Sequence, residues 1–211
     1  MVNFTKNILG KKLVLLVIIG MGLSSCGSSK SFSEREKILI TKKGANQPMR
    51  VYLITHKKDS VLLRKKSKPI RFKKQTYLIK KLASRMLATV QDSASLGVGI
   101  AAPQVGVLKK MIVVQRLDKD GEPFEVYINP IIKKYSERKR PCTEGCLSIP
   151  GKRATTLDRA YTVWLKYQTL NGEKKQEKVN DFVSVIFQHE IDHLNGILFI
   201  DHLLKEVEES K

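Results

Sequence analysis

With 211 residues and 42% apolar side chains, the chain has enough material for one well-packed domain and too little for two of ordinary size. Its 39 Lys and Arg against 20 Asp and Glu give a formal charge of +19, a field that favours anionic partners such as lipid headgroups or nucleic acid, with a merely solvated Lys-rich surface as the plainer reading. No aromatic ribonucleoprotein stripe or zinc-finger spacing accompanies that charge, so no specific nucleic-acid partner is expected.

The N-terminus is patterned for export. Lys6, Lys11 and Lys12 precede an 11-residue apolar run, Leu13 to Leu23, and no acid occurs before Glu34. A spanning helix needs about 20 apolar residues, whereas a secretory signal core needs about 7–15. The following Leu23-Ser24-Ser25-Cys26 resembles the lipobox of bacterial lipoproteins. That resemblance implies a signal over residues 1–25, a lipid on Cys26, and a membrane-anchored protein on the periplasmic side. A retained anchor facing the cytoplasm is the competing reading. Cleavage would remove three lysines and no acid, lowering the charge to +16. Residues 26–47, rich in Gly, Ser and Lys around a short "KILI" patch, read as a tether, flexible at least to Lys37.

From residue 48 onward the pattern is that of a folded domain, 48–211. "MRVYLIT" (49–55) is a strand candidate, and "DSVLLRKKSKPI" (59–70) reads as a turn with an extended surface segment. Leu78, Ile79, Leu82, Met86, Leu87 and Val90 recur at helical spacing and predict an amphipathic helix over 74–91. "LGVGIAAPQVGV" (96–107) is too rich in Gly for a helix interior and predicts a loop or edge strand where backbone approaches something closely. "KMIVVQR" (110–116) and "FEVYINP" (124–130) predict strands about a "DKDGEP" turn. Asn171-Gly172 predicts a hairpin between 161–169 and 173–180. Asp181 is the expected cap of a last helix, Phe182 to Leu194, closed by Asn195-Gly196. Hairpins with two principal helices make an α+β fold, with antiparallel sheets around a C-terminal metal-binding helix.

The chemistry concentrates in "QHEIDHLNG" on that last helix. Positions i and i+4 share a face, so His189 and His193 can bind one metal, with Glu190 beside it as a general base. A third ligand is required. Asp201 and His202 follow downstream, and Cys146 in "EGCLS" lies upstream.

Three segments together decide between them. "GVGIAAPQ" (97–104), "EGCLS" (144–148) and "QHEIDHLNG" are similar, in order and rough spacing, to the three signature segments of the peptide deformylases. The similarity extends over about residues 49–204 and takes in "VLLRKKSKP" and "INP". The resemblance implies that Cys146, His189 and His193 bind the metal and that Glu190 moves the proton. The Gln104 amide and the Leu147 backbone N–H would hold the oxyanion, and Glu144 belongs to the conserved-type motif at the substrate site. Gly99 would let backbone approach the peptide. Val98, Val185 and Ile186 would line a slot for a methionine side chain, unless all three are ordinary core. Arg153 resembles a family arginine near the substrate, although "RATTLDR" is one residue longer than the usual stretch.

The implied reaction removes the formyl group from N-formylmethionyl peptides. The family's metal is typically ferrous iron, and a Cys/His2 site also takes zinc. Ligation by Cys146 leaves Cys142 free in place of a Cys142–Cys146 disulfide, and a monomer is expected. Two rival classes remain. A zincin-type endopeptidase would leave the cysteine segment unexplained, and a non-catalytic lipoprotein that kept the fold should have lost a ligand or Glu190.

Overall fold

The computed structural model describes Met1 and residues 32–209, apart from 73–74 and 93–96. The expected signal, Cys26 and the first part of the tether lie outside the described residues. Among the described residues no helix is long and apolar enough to cross a membrane.

The tether reading does not hold beyond residue 31. Helix α1 (Glu34–Thr41) starts at a capping box. The Ser33 hydroxyl accepts from the Glu36 N–H at 3.3 Å, and the Glu36 carboxylate accepts from the Ser33 N–H at 2.8 Å. Phe32 and Ile40 are fully buried against helix α3 (Thr76–Val90). Arg85 of α3 donates to the carbonyls of Leu39 and Ile40 at 2.6 and 3.2 Å, satisfying groups that the last helical turn leaves open.

Two further expectations are corrected nearby. Residues 59–70 begin in a helix, α2 (Lys57–Leu63), which buries Leu62 and Leu63. Residues 49–53 belong to no strand, and 54–55 turn into the helix. Their backbone bonds singly to two different neighbours: the Tyr52 N–H donates to the Gln104 carbonyl at 2.7 Å and the Ile54 N–H to that of Ser148 at 3.0 Å. The segment therefore ties together two stretches that belong to the site.

Five antiparallel strands form the main sheet in the order β1 (Gly99–Ala101), β2 (Met111–Gln115), β3 (Phe124–Tyr135), β6 (Thr162–Gln168) and β7 (Lys174–Asn180). β1 is the expected edge strand and runs into a 3-10 turn, Ala102–Val105. β3 outlasts the expected end at Pro130 because an irregularity between Ile128 and Ile131 lets pairing with β6 resume. A separate hairpin, β4 (Cys142–Cys146) and β5 (Ile149–Thr156), turns at Leu147-Ser148.

Helix α4 (Asp181–Asn195) crosses one face of the main sheet, touching every one of its strands, while α3 packs on the other face over β1 and β2. Alternation along β3 separates two cores. Ile128 faces α3, and Tyr127 faces α4 together with Val163, Leu165 and Phe187. Gly196 closes α4 in the left-handed conformation, φ 77°, as expected of Asn195-Gly196. The expected cap is displaced by one residue: Asn180 holds the cap position without a side-chain capping bond, its Oδ1 accepting instead from the Thr162 hydroxyl at 2.8 Å, and Asp181, inside the first turn, pairs with Arg140. A last helix, α5 (Phe199–Glu209), packs on the β4–β5 hairpin.

Candidate metal centre and substrate cavity

The i, i+4 geometry of α4 brings the His189 and His193 rings to 5.1 Å between centroids, both buried. The β4–β5 turn delivers Cys146 to the same point. Its sulfur lies 3.2 Å from His193 Nε2, and the donor atoms of Cys146, His189 and His193 all fall within 4.8 Å of one another. A thiolate and two imidazoles at this spacing match the requirements of a divalent transition metal. Burial works against charge on His189, yet Cys146 and Glu144 raise its proton affinity well above the usual histidine range. His193, by contrast, is held well below that range, by burial first and then by His189.

Asp201 and His202 are engaged elsewhere. Asp201 pairs with Arg64 and accepts from the Leu198 N–H, and His202 lies between Asp158 and Asp192 at 3.0 and 2.9 Å. Among the described residues Cys142 and Cys146 are both free. Four residues apart on one strand, they are separated by roughly 13 Å, about twice the span of a disulfide.

Glu144 is among the residues that line the cavity, as expected of it, but its carboxylate is engaged by protein groups. Its carboxylate is buried behind His189, with Oε2 2.7 Å from Nδ1. Arg159 donates to its two oxygens at 2.8 and 3.0 Å, and the Thr156 hydroxyl also donates to it. Burial pushes the Glu144 carboxyl up, but His189 and Arg159 outweigh it and hold it at about 2. An ionised Glu144 accepts the Nδ1 proton and so leaves His189 Nε2 free to ligate. Arg159 continues to Asp192 at 2.6 Å, and Asp192 to His202. Sequence reasoning passed over Arg159 and Asp192, and weighed His202 only as a metal ligand. Asp192 lay in view within "HEIDH", but nothing local marks Arg159 as its partner.

Glu190 is 4% exposed and faces a cavity of 480 Å³ between α4, the β4–β5 hairpin and residues 97–99. Burial pushes its carboxyl up to about 7; His189 opposes this, and Glu144 and Asp192 add to it. One of its oxygens, Oε2, has no hydrogen-bond partner among the described residues. A proton acceptor near neutrality beside a metal centre is suited to general-base work. Gly99 is required here for a reason other than substrate approach alone: a Cβ on it would meet Glu190 Oε1 at 2.6 Å.

Gln104 sits across the cavity on the 3-10 turn. Its Oε1 accepts from the Ala101 N–H at 2.8 Å, which turns Nε2 toward Cys146, 3.6 Å away. Leu147, at the hairpin turn, lines the same space. Val185 and Ile186 form an apolar wall, with Phe182, which the sequence reading missed, one turn earlier on α4. Val98 lies at the cavity with 36% exposure. Arg153 pairs across from Gly145 in regular register and also lines the cavity. The irregularity in the hairpin falls at 150–152, before it.

Residues 51–209 match the family model described as polypeptide deformylase. A peptide deformylase of Finegoldia magna is 39% identical over 148 residues, covering 70% of this chain and 87% of that protein. Among solved structures, the Met-Ala-Ser-bound class I type b peptide deformylase of Acinetobacter baumannii is 33% identical, with a TM-score of 0.63 over 74% of this chain and 99% of that one. The actinonin-bound form of the same enzyme gives 34%, 0.62, 74% and 98%.

Proposed function

The chain belongs to the polypeptide deformylase family, and from that premise we propose that it hydrolyses N-formylmethionyl peptides to formate and a free amino terminus. One observation carries the reading. Cys146, His189 and His193 converge at one end of a cavity that also holds buried Glu190 and the oriented amide of Gln104.

A divalent ion held by Cys146 Sγ and the Nε2 atoms of His189 and His193 would supply Lewis acidity and make water at the cavity easier to deprotonate. Glu190 takes a proton from the attacking water as its oxygen bonds to the formyl carbon. Gln104 Nε2 and the Leu147 backbone N–H donate to the oxyanion that forms. The C–N bond then breaks, and Glu190 returns the proton to the departing amine nitrogen. Val98, Phe182, Val185 and Ile186 receive the methionine side chain, and Arg153 orients the peptide beyond it. Gly99 leaves room for Glu190 at the reacting carbon.

Glu190→Ala in metal-loaded protein should lower turnover of a formyl-Met peptide by on the order of 10²–10⁴. Turnover equal to wild type would overturn the mechanism. A non-catalytic reading of the fold has no support in the site, because every ligand and the base are present.

For the metal we propose Fe²⁺ as the active ion, with Zn²⁺ also accepted on isolation, since a thiolate with two imidazoles suits both. Elemental analysis showing neither metal in freshly purified protein would refute this. For location we propose a lipoprotein anchored through Cys26, facing the periplasm and acting there on formylated peptides. The support is the Lys-flanked apolar run followed by "LSSC". Palmitate labelling of wild type that is lost in Cys26→Ala, with protease accessibility in spheroplasts, tests it. Unlabelled soluble protein would reject it.

A further inference from the structure

The outer face of β6 and β7 carries a patch that the proposed reaction does not use. In antiparallel pairing, directly opposed residues share a face. Lys134, Trp164 and Lys178 stand in one row across β3, β6 and β7, and Ile131, Lys166 and Gln176 in the next. Gln168 and Lys174 form a third. Ile128, opposite Gln168, faces α3, so all three rows are on the α3 side of the sheet. But α3 lies mainly over β1 and β2, so that Gln168, bonded to Asn129 beside Ile70, sits at the margin of this cover and the Trp164 and Lys166 rows lie beyond it.

The result is an open sheet face with four exposed lysines and a half-buried tryptophan, and its rows contain no carboxylate. Lys134 and Lys178 flank the Trp164 ring with their ammonium groups 5.1 and 5.5 Å from its centroid. Exposed lysines around an indole are the chemistry of a membrane–water interface, where the cations meet headgroup phosphates and the ring sits at headgroup level.

Two placements favour a bilayer as the occupant. Phe32, the first described residue after the segment that follows Cys26, is buried in the α3-side core, so the chain enters the domain on the side of these rows. The substrate cavity is built from α4, the β4–β5 hairpin and residues 97–99 at the β1 edge, the opposite end of the sheet from β6 and β7. We propose that Lys134, Trp164, Lys166, Lys174 and Lys178 form a docking face for anionic lipid headgroups, laying the domain on the membrane with its cavity turned toward water. The proposal rests on the anchored reading of Cys26 for its nearness to a membrane, and on the sheet for the surface itself.

Trp164 is the single tryptophan of the chain, so its fluorescence reports this face alone. The full chain is reconstituted with phosphatidylglycerol or phosphatidylcholine vesicles that contain brominated lipid. Quenching and a blue shift should occur with phosphatidylglycerol and not with phosphatidylcholine, and should be reversed at about 0.5 M salt. The Lys134, Lys166, Lys174 and Lys178→Gln quadruple variant should lose the signal while still hydrolysing formyl-Met peptide in detergent at the wild-type rate. In the Cys26→Ala chain, binding to phosphatidylglycerol vesicles should weaken on the order of five-fold for each lysine replaced. Protein that floats with the vesicles while Trp164 emission stays unchanged would overturn the docking face and leave the anchor standing. Salt-reversible quenching without flotation at high salt would overturn the anchor and keep the face. Equal quenching by single-stranded RNA would replace lipid with nucleic acid as its partner and overturn the proposal.

Discussion

Arg116 and Arg159 are each 3% exposed at the side chain, and each joins carboxylates from separate elements. Arg116 donates to both oxygens of Asp118 at 2.7 Å, to the Tyr127 hydroxyl at 2.7 Å and to Glu177 at 2.8 Å. It fastens the end of β2 to β3 and β7, and its partners Asp118 and Glu125 are about one-third exposed. Arg159 is enclosed more fully, between Glu144 at 4% and Asp192 at 18% exposure. The difference lies in what the carboxylates touch next. Those around Arg116 lead back to the sheet or to water. Those around Arg159 lead to His189 and, one residue along α4, to His193. A forked buried arginine is therefore not a functional mark by itself.

Three substitutions test that contrast. Arg159→Met strands two carboxylates beside the metal centre. It should cost about 3–5 kcal/mol in denaturant unfolding and weaken metal retention about 10- to 100-fold on dialysis. Normal metal content in the folded variant would break the contrast. Arg116→Met should cost less, about 2–3 kcal/mol, because its partners are reached by water and screened. Turnover per folded molecule should stay at the wild-type value; a loss matching that of Arg159→Met would show the two clusters to be equivalent.

His202 gives the smallest effect, and its sign is set by pH. Its hydrogen bond to Asp192 raises its proton affinity above the usual histidine range against burial, with Asp158 adding to it. The stabilisation is fully present below the unfolded value of about 6.5 and is lost as pH rises through the raised folded one. His202→Gln should therefore cost up to about 1 kcal/mol at acid pH and little at alkaline pH. A pH-independent difference between variant and wild-type melting curves would remove His202 from the ionic chain.

The site was legible from sequence because each of its parts is a local pattern. His189, Glu190 and His193 come from one helical repeat, Gln104 and Cys146 from short fixed segments, and α4 ends at the expected Asn195-Gly196. What escaped notice depended on packing at a distance. The Gly- and Ser-rich stretch before residue 48 concealed a Ser33/Glu36 capping box, because its stability comes from Phe32 and Ile40 meeting α3. Two turns of helix at Lys57–Leu63 are too short for periodicity to separate from an extended run. Glu144 was placed on the substrate because its motif lies at the site. It does line the cavity, but the engagement of its carboxylate depends on Arg159, fifteen residues later and across a hairpin.

The 2.6 Å between a Gly99 Cβ and Glu190 Oε1 has a consequence for how such a chain can change over time. Gly99 lies in the first signature segment and Glu190 in the third, yet they share one volume. A side chain gained at 99 would have to be matched by a shorter or displaced acid at 190, which would no longer reach the reacting carbon. The two positions, 91 residues apart in sequence, are therefore coupled through space: a change at either is tolerated only if the other leaves room for it.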